Sequence, residues 1–394
     1  MTSARPSISD LDLFSDESLT DPYPIYRQLR DKGAAVWIEP ISCWALPRYD
    51  DVRSALRDWE TYSSAQGVGI NDDINQLSSG TVLASDPPLH DVLRSVLAER
   101  LSPRALRSLS ASICAQADAL VGALVDLGTF DAVADLARVF PPTIIADLVG
   151  LPHEIRPYLL DWGDAVFNTL GPLNERAVDV MPVVGDQFQW LYSLDGTELV
   201  EGSMGRAIFD AAAAGVISRE SAPQLLSAYT SASMDTTVNA IGSAVALFAQ
   251  NPEQWAALRA DRSLISAAFN EVLRFESPLQ MFTRVATRDL GLGGNHIASG
   301  DRLIMMYGSA NRDERHFGET ADLFDITRDA SDHLAFGSGL HACAGQGLAR
   351  LEAHSVFNAL ADRVVSFTIE AAPVRHLNNT VRGLRSLEVS VKPA

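Results

Sequence analysis

The segment Phe336-Gly337-Ser338-Gly339-Leu340-His341-Ala342-Cys343-Ala344-Gly345 runs straight into an amphipathic helical pattern. A cysteine at a helix start sits at the positive end of the dipole, near free backbone N–H groups. That setting lowers a thiol pKa from about 8.5 and holds a thiolate, the form that ligates metal. Gly337, Gly339 and Gly345 allow tight turns and the approach of a flat group without an intervening β-carbon. A second concentration of chemistry is Thr230, Ser231, Ser233, Asp235, Thr236 and Thr237, a polar cluster inside a mostly apolar helical run. Burying an unpaired hydroxyl or carboxylate costs about 1–3 kcal/mol or more, so the cluster needs a reason. A hydroxyl backed by a carboxylate that exchanges with bulk water can relay protons. Asp235 and Thr236 are assigned to those roles, and Thr237 is expected only to bond backward to a carbonyl. Cys43 and Cys114 read as small buried hydrophobes.

The elements that position these residues are mostly helical. Short helical patterns at 25–30 and 52–56 flank two expected strands, 34–38 and 44–47. Residues 63–88, rich in Gly, Ser, Asn and Asp, read as one long loop, and loops of that length are usually functional. From 89 to 192 the pattern is helical in blocks, punctuated at Ser102-Pro103, Gly128, Pro141-Pro142, Pro152 and Gly171-Pro172. One long helix is expected over 220–249, another over 264–275, and a last one from near Cys343 to about 364. Strand-like segments fall at 283–289 and 302–307. With no internal repeat or linker, the 394 residues read as a single domain, mainly α with a minor β-sheet region.

Composition narrows the function. A formal charge of −19 argues against nucleic acid, which needs a concentrated basic face. The first twenty residues hold no apolar run that could act as a signal or anchor. No later window reaches the ~18 uninterrupted apolar residues of a membrane span, so a soluble cytoplasmic protein is expected. Three scattered cysteines rule out a disulfide framework.

The Cys343 segment matches Phe-x-x-Gly-x-His-x-Cys-x-Gly at every fixed position, and with it the chain resembles the cytochrome P450 superfamily over nearly its whole length. The resemblance implies the cytochrome P450 fold, haem b with Cys343 as its thiolate ligand, O2 as co-substrate, and monooxygenase activity. A thiolate ligand favours O–O cleavage, which imidazole supports less well. Glu271 and Arg274 match the family's Glu-x-x-Arg, with Arg328 as third member of that structural triad. His90, Arg94, Arg284 and His341 stand at positions that hold the haem propionates, and Ala232, Phe336 and Gly345 at others that contact the ring. Ala232-Ser233-Met234-Asp235-Thr236-Thr237 corresponds to Ala-Gly-x-Asp-Thr-Thr, with Ser233 where glycine is usual.

Within the superfamily the chain is most similar to the bacterial group that oxidises para-substituted benzoic acids, para-methoxybenzoate O-demethylases among them. That likeness implies a small aromatic pocket lined by Val68, Phe167, Leu170, Phe282 and Val381. Where those relatives anchor a carboxylate with arginines and serines, this chain has Gln66, Ser227 and Ala228, retaining only Ser231. A carboxylate buried without a cation is costly, whereas a neutral hydroxyl or ether is satisfied by an amide and a hydroxyl. The expected reaction is therefore hydroxylation or oxidative O-demethylation of a neutral para-substituted aromatic. The alternatives are the same chemistry on a benzoic acid, a biosynthetic role on a larger substrate (Leu170 replaces an aromatic ring), direct peroxide use, and last a non-catalytic haem-thiolate sensor. No flavin or iron-sulfur segment is present, so electrons from NAD(P)H are expected through ferredoxin and its reductase. Arg100, Arg104 and Arg107 are candidates for the dock.

Overall fold

The computed structural model describes residues 8–394. Helices dominate, and among the described residues the strands form four small sheets. At the centre runs the helix Asp235–Gln250, with Val238, Ala240, Ile241, Ala244, Val245 and Phe248 all buried. A helix apolar all round is one wrapped by others. Here the wrapping includes Ile265–Glu276 and Gln346–Arg363.

The helix Pro103–Leu127 begins where the Ser102 hydroxyl accepts the Ala105 N–H. Its buried stripe of Leu106, Ile113, Ala117, Val121 and Leu124 has helical spacing, and the helix packs along Gln346–Arg363. By length and composition Leu89–Leu127 contains a window apolar enough to cross a membrane. It is two helices, Leu89–Arg100 and Pro103–Leu127, separated at Leu101 and Ser102.

The largest sheet orders its strands Ile8–Ser9, Val36–Ile38, Cys43–Leu46, Arg302–Met306, Met281–Ala286 and Tyr62–Ser63. In the antiparallel pair, Phe282 faces Met305 and Arg284 faces Leu303. Phe282 and Arg284 are two residues apart, so they emerge on the same face of their strand.

Two expectations are corrected, and one sheet went unread. The 63–88 stretch is not all loop: it contains the helix Asp72–Leu77, capped where the Asn71 side chain accepts the Asp73 N–H. Pro141 and Pro142 mark a change of helix as expected: the preceding one ends at Ala137, and the prolines sit in the first turn of Phe140–Val149, where a missing N–H has no partner to lose. The strands Thr129–Asp131, Val364–Ile369 and Glu388–Pro393, which pair into one sheet, went unread. The first spans three residues and draws its partner from the far end of the chain. Finally, the single helix expected over 220–249 is two, Ser221–Thr230 and Asp235–Gln250.

Candidate active site

That last break lies at the polar cluster. Ser233 Oγ donates to the Tyr229 carbonyl, and Thr236 Oγ1 donates to the Ala232 carbonyl at 3.1 Å. Side-chain hydroxyls that take backbone carbonyls compete with the helix ladder. The back-bond expected of Thr237 is thus made by Thr236, and the hydroxyl that replaces the usual glycine is occupied by backbone. Asp235 opens the second helix, 5% exposed, with Oδ2 lacking any hydrogen-bond partner. Burial pushes its carboxyl well above the usual range, Asp164 adds to the shift, and Arg138 opposes it. Gly163 makes this approach feasible, since a β-carbon there would lie 3.0 Å from Asp235 Oδ2.

The Cys343 loop is shaped by two left-handed glycines, Gly337 (φ +68°) and Gly339 (φ +71°). At Gly339 a β-carbon would come within 2.4 Å of the Leu56 carbonyl oxygen, so this turn has no room for a side chain. The Cys343 N–H donates to the Phe336 carbonyl at 2.8 Å, closing the loop. The helix starts at Gln346 with Gly345 as its cap, so Cys343 stands just outside it. In the polypeptide alone burial outweighs the thiolate-stabilising groups and raises the thiol pKa. The Gly345 N–H, Arg94, the Gln346 N–H and Arg350 pull the other way. The expectation of a lowered thiol is corrected on that account. Cys343 lines a cavity of about 340 Å³, and its exposed surface faces that space.

Around the cavity's edge four basic side chains converge from three elements. His90 and Arg94 share one face of Leu89–Arg100, Arg284 comes from Met281–Ala286, and His341 from the Cys343 loop. The two imidazole rings meet edge to face, 4.5 Å apart, and each has a buried Nε2 with no partner among the described residues. Arg94 donates to the Ala342 carbonyl at 2.5 Å and Arg284 to the Thr283 carbonyl at 2.7 Å. Neither has a carboxylate at ion-pair distance among the described residues. Asp86, whose charge reaches Arg284, is held by Ser63 Oγ (2.5 Å) and the Ser64 N–H (3.0 Å). Burial, helped by Arg284, His90 and Arg94, lowers His341 to about 3. Such a cluster suits an anion with several acceptor oxygens.

Glu271 and Arg274 are both fully buried and joined at 2.7 and 2.8 Å. Arg328 Nε stands 3.5 Å from Glu271 Oε1, and the Asp325 N–H donates to the same oxygen at 3.0 Å. The three residues read from sequence as a triad do meet.

The cavity walls include Val68, Phe167, Leu170, Phe282, Ser231 and Ala232, together with Thr236, Phe336, Gly345, Ser227 and Ala228. Two expected wall residues fall elsewhere. Gln66 is exposed on the outside of its loop, and Val381 is buried behind the wall, bridged to Leu279. Arg100, Arg104 and Arg107 are exposed. Sequence reasoning missed Gln187 and Glu352, both buried and both lining the cavity. Gln187 had a signal: it interrupts the buried stripe of Ala177, Val184 and Leu191 on the helix Glu175–Ser193.

A family model described as Cytochrome P450 matches residues 213–384. The protein named Cytochrome p450 CYP199A2, from Rhodopseudomonas palustris, is 39% identical, covering 98% of this chain and 94% of its own. Linalool 8-monooxygenase of Pseudomonas putida is 29% identical over 99% of each chain. The solved structure of cytochrome P450 CREJ in complex with (4-ethylphenyl) dihydrogen phosphate superposes with a TM-score of 0.85 at 28% identity, over 95% of this chain and 98% of that one. The donor set suits haem b: a thiol facing the cavity, arginines bonded to carbonyls rather than carboxylates, imidazoles whose Nε2 atoms have no partner among the described residues, and a turn that tolerates only glycine. The chain belongs to the cytochrome P450 family, as a monooxygenase that uses haem b, O2 and electrons from NAD(P)H delivered by redox partners.

Proposed function

We propose that this monooxygenase acts on a small, neutral, para-substituted aromatic, by hydroxylation or oxidative O-demethylation, with electrons from a ferredoxin and its reductase. The observation that carries the reading is the charge of the cavity wall. Among the described residues its only basic lining side chains are Arg94 and His341, at the rim assigned to the haem edge, and its only carboxyl is Glu352. A carboxylate substrate would have no cation of its own, and an unpaired buried charge is costly. The apolar side chains Val68, Phe167, Leu170 and Phe282 suit an aromatic ring. The relative at 28% identity was solved with (4-ethylphenyl) dihydrogen phosphate, which shares the para-substituted ring but adds an anionic phosphate, so it supports the ring shape alone.

When bound, haem b supplies activation of O2 and insertion of one oxygen atom into a C–H bond, the other leaving as water. Cys343 is the residue proposed to ligate its iron. His90, Arg94, Arg284 and His341 hold its carboxylates, with Ala232, Phe336 and Gly345 against its ring. Asp235, whose carboxyl burial pushes toward its protonated form, stands one residue from the Thr236 hydroxyl, and the pair delivers protons to the cavity. Glu271, Arg274 and Arg328 support the chain beneath. We read residues 1–394 as one domain, working in the cytoplasm without membrane or nucleic-acid partners. Arg100, Arg104 and Arg107 serve as the dock for ferredoxin.

The test is a titration of the Soret band with anisoles, phenols and benzoic acids, followed by product analysis with a ferredoxin system. Full shifts with the neutral rings and products oxidised at the para substituent are expected. Full shifts with benzoic acids alone would overturn the neutral reading.

A further inference from the structure

Gln187 is 1% exposed, lines the cavity, and has only half its amide partnered. Its Nε2 donates to Ser231 Oγ at 2.8 Å and to Thr230 Oγ1 at 3.3 Å. The Thr230 hydroxyl lies 3.5 Å from the Ser227 carbonyl, and donation there leaves Thr230 Oγ1 to accept, the arrangement in which the amide nitrogen faces it. Gln187 Oε1 is then a buried acceptor with nothing to accept. Ser231 Oγ accepts from Gln187, and among the described residues its own hydrogen has no acceptor. Several other hydroxyls along this wall are occupied by backbone: Ser227 donates to the Gln224 carbonyl at 3.1 Å, Thr169 to Val166 at 2.8 Å and Ser78 to Asn75 at 3.3 Å. One acceptor, on Gln187, and one donor, on Ser231, therefore stand side by side without a partner among the described residues, both on buried side chains.

We propose that Gln187, with Ser231, is a specificity-determining anchor for a free substrate hydroxyl, so that the preferred substrate class is para-substituted phenols. The proposal rests on the neutral-aromatic reading above and narrows it. A hydroxyl donates to Gln187 Oε1 and accepts from Ser231, completing both. An ether oxygen only accepts, which leaves Oε1 orphaned, and a carboxylate sets acceptor against acceptor. A ring tied to this wall by its hydroxyl directs its para substituent across the cavity, away from the Gln187 helix.

The experiment measures dissociation constants of the haem-loaded protein, by Soret shift and by calorimetry, for 4-ethylphenol, 4-ethylanisole and 4-ethylbenzoic acid. The phenol is expected to bind about tenfold tighter than the anisole, the discrimination of one buried hydrogen bond made or left unmade. Gln187→Leu abolishes that preference by weakening the phenol about tenfold while leaving the anisole unchanged, and Ser231→Ala reduces it several-fold. Equal binding of phenol and anisole to the unaltered protein overturns the anchor and leaves the neutral reading standing. Tightest binding of the benzoic acid overturns both. Gln187→Leu weakening phenol and anisole by the same factor also overturns the anchor. Where that variant does not fold, the unaltered protein and Ser231→Ala decide.

Discussion

Two buried polar regions of this molecule are built on opposite principles. Around Arg274 all five N–H donors of the guanidinium are used, on both oxygens of Glu271 and on the carbonyls of Asn311, Ala321 and Leu323. Around the cavity, His90 Nε2, His341 Nε2, Asp235 Oδ2, Gln187 Oε1 and Glu352 Oε1 are buried and open. Leaving a buried polar group unmade is destabilising, so a fold that does it repeatedly in one place keeps those groups for something that arrives later. The closed region holds the chain, and the open region holds ligands. Burial alone separates neither from the other; the difference lies in the partners of Arg274 against those of the cavity groups, while single atoms with no hydrogen bond among the described residues, such as Arg328 Nε and Gln280 Oε1, occur elsewhere.

Breaking the closed region has the largest expected effect on stability. Glu271→Gln leaves Arg274 buried beside a neutral amide and should lower the unfolding free energy by about 3 kcal/mol or more, read from urea denaturation. A loss under about 1 kcal/mol would place the Glu271 cluster with the open groups. The matching change in the open region is His341→Phe. It deletes the unpartnered Nε2 together with the ring's bond to the Ser85 backbone, so the haem-free chain should lose no more than about 1 kcal/mol. Transfer of haem to a scavenging apoprotein should speed up about tenfold, the value of one charge-assisted hydrogen bond. Equal losses from both variants would erase the distinction.

The smallest effect is a pH slope. Burial alone raises the Glu352 carboxyl well above its usual value, so the folded chain keeps a proton that the unfolded chain has lost above about pH 4.3. Its stabilising contribution is complete below the unfolded pKa and is lost as pH rises toward the folded one. Glu352→Gln removes that titration. The variant should gain on the unaltered protein by about 1 kcal/mol or more between pH 5 and pH 8, seen as diverging urea midpoints. Parallel midpoints across that range would show that Glu352 is partnered after all.

What the sequence made legible follows the same division. The Cys343 segment, Asp235-Thr236, Glu271-x-x-Arg274 and the convergence of His90, Arg94, Arg284 and His341 rest on local spacing or on family pattern, and the fold brings each set together. The helices with a clear apolar stripe were readable too. What failed needed three-dimensional information. Gln66 and Val381 were assigned to the cavity by alignment of position, yet a loop's side chains turn outward or inward by torsions that no periodicity encodes. The split at 231–234 came from hydroxyls competing for carbonyls, an effect smaller than the apolar pattern that suggested one helix. Gln187 was visible only as a polar residue on a buried stripe, the bland version of which is a satisfied core amide.

The cavity wall also contains a joint between distant parts of the chain. Asn379 exchanges hydrogen bonds with Asn168, its N–H to Oδ1 at 3.1 Å and its Nδ2 to the Asn168 carbonyl at 2.9 Å, and Thr380 Oγ1 donates to the Phe167 carbonyl at 2.7 Å. Gly171 is pressed so close to Asn379 that a β-carbon would lie 2.4 Å from the Asn379 Cβ. These contacts span more than 200 residues of sequence, and loop closure of that length must precede them. During synthesis, Phe167 therefore waits for nearly the whole polypeptide to emerge before its wall is braced. A nascent chain stalled short of residue 379 could fold much of its helical core and still present no finished pocket, so substrate recognition is among the last properties this protein acquires.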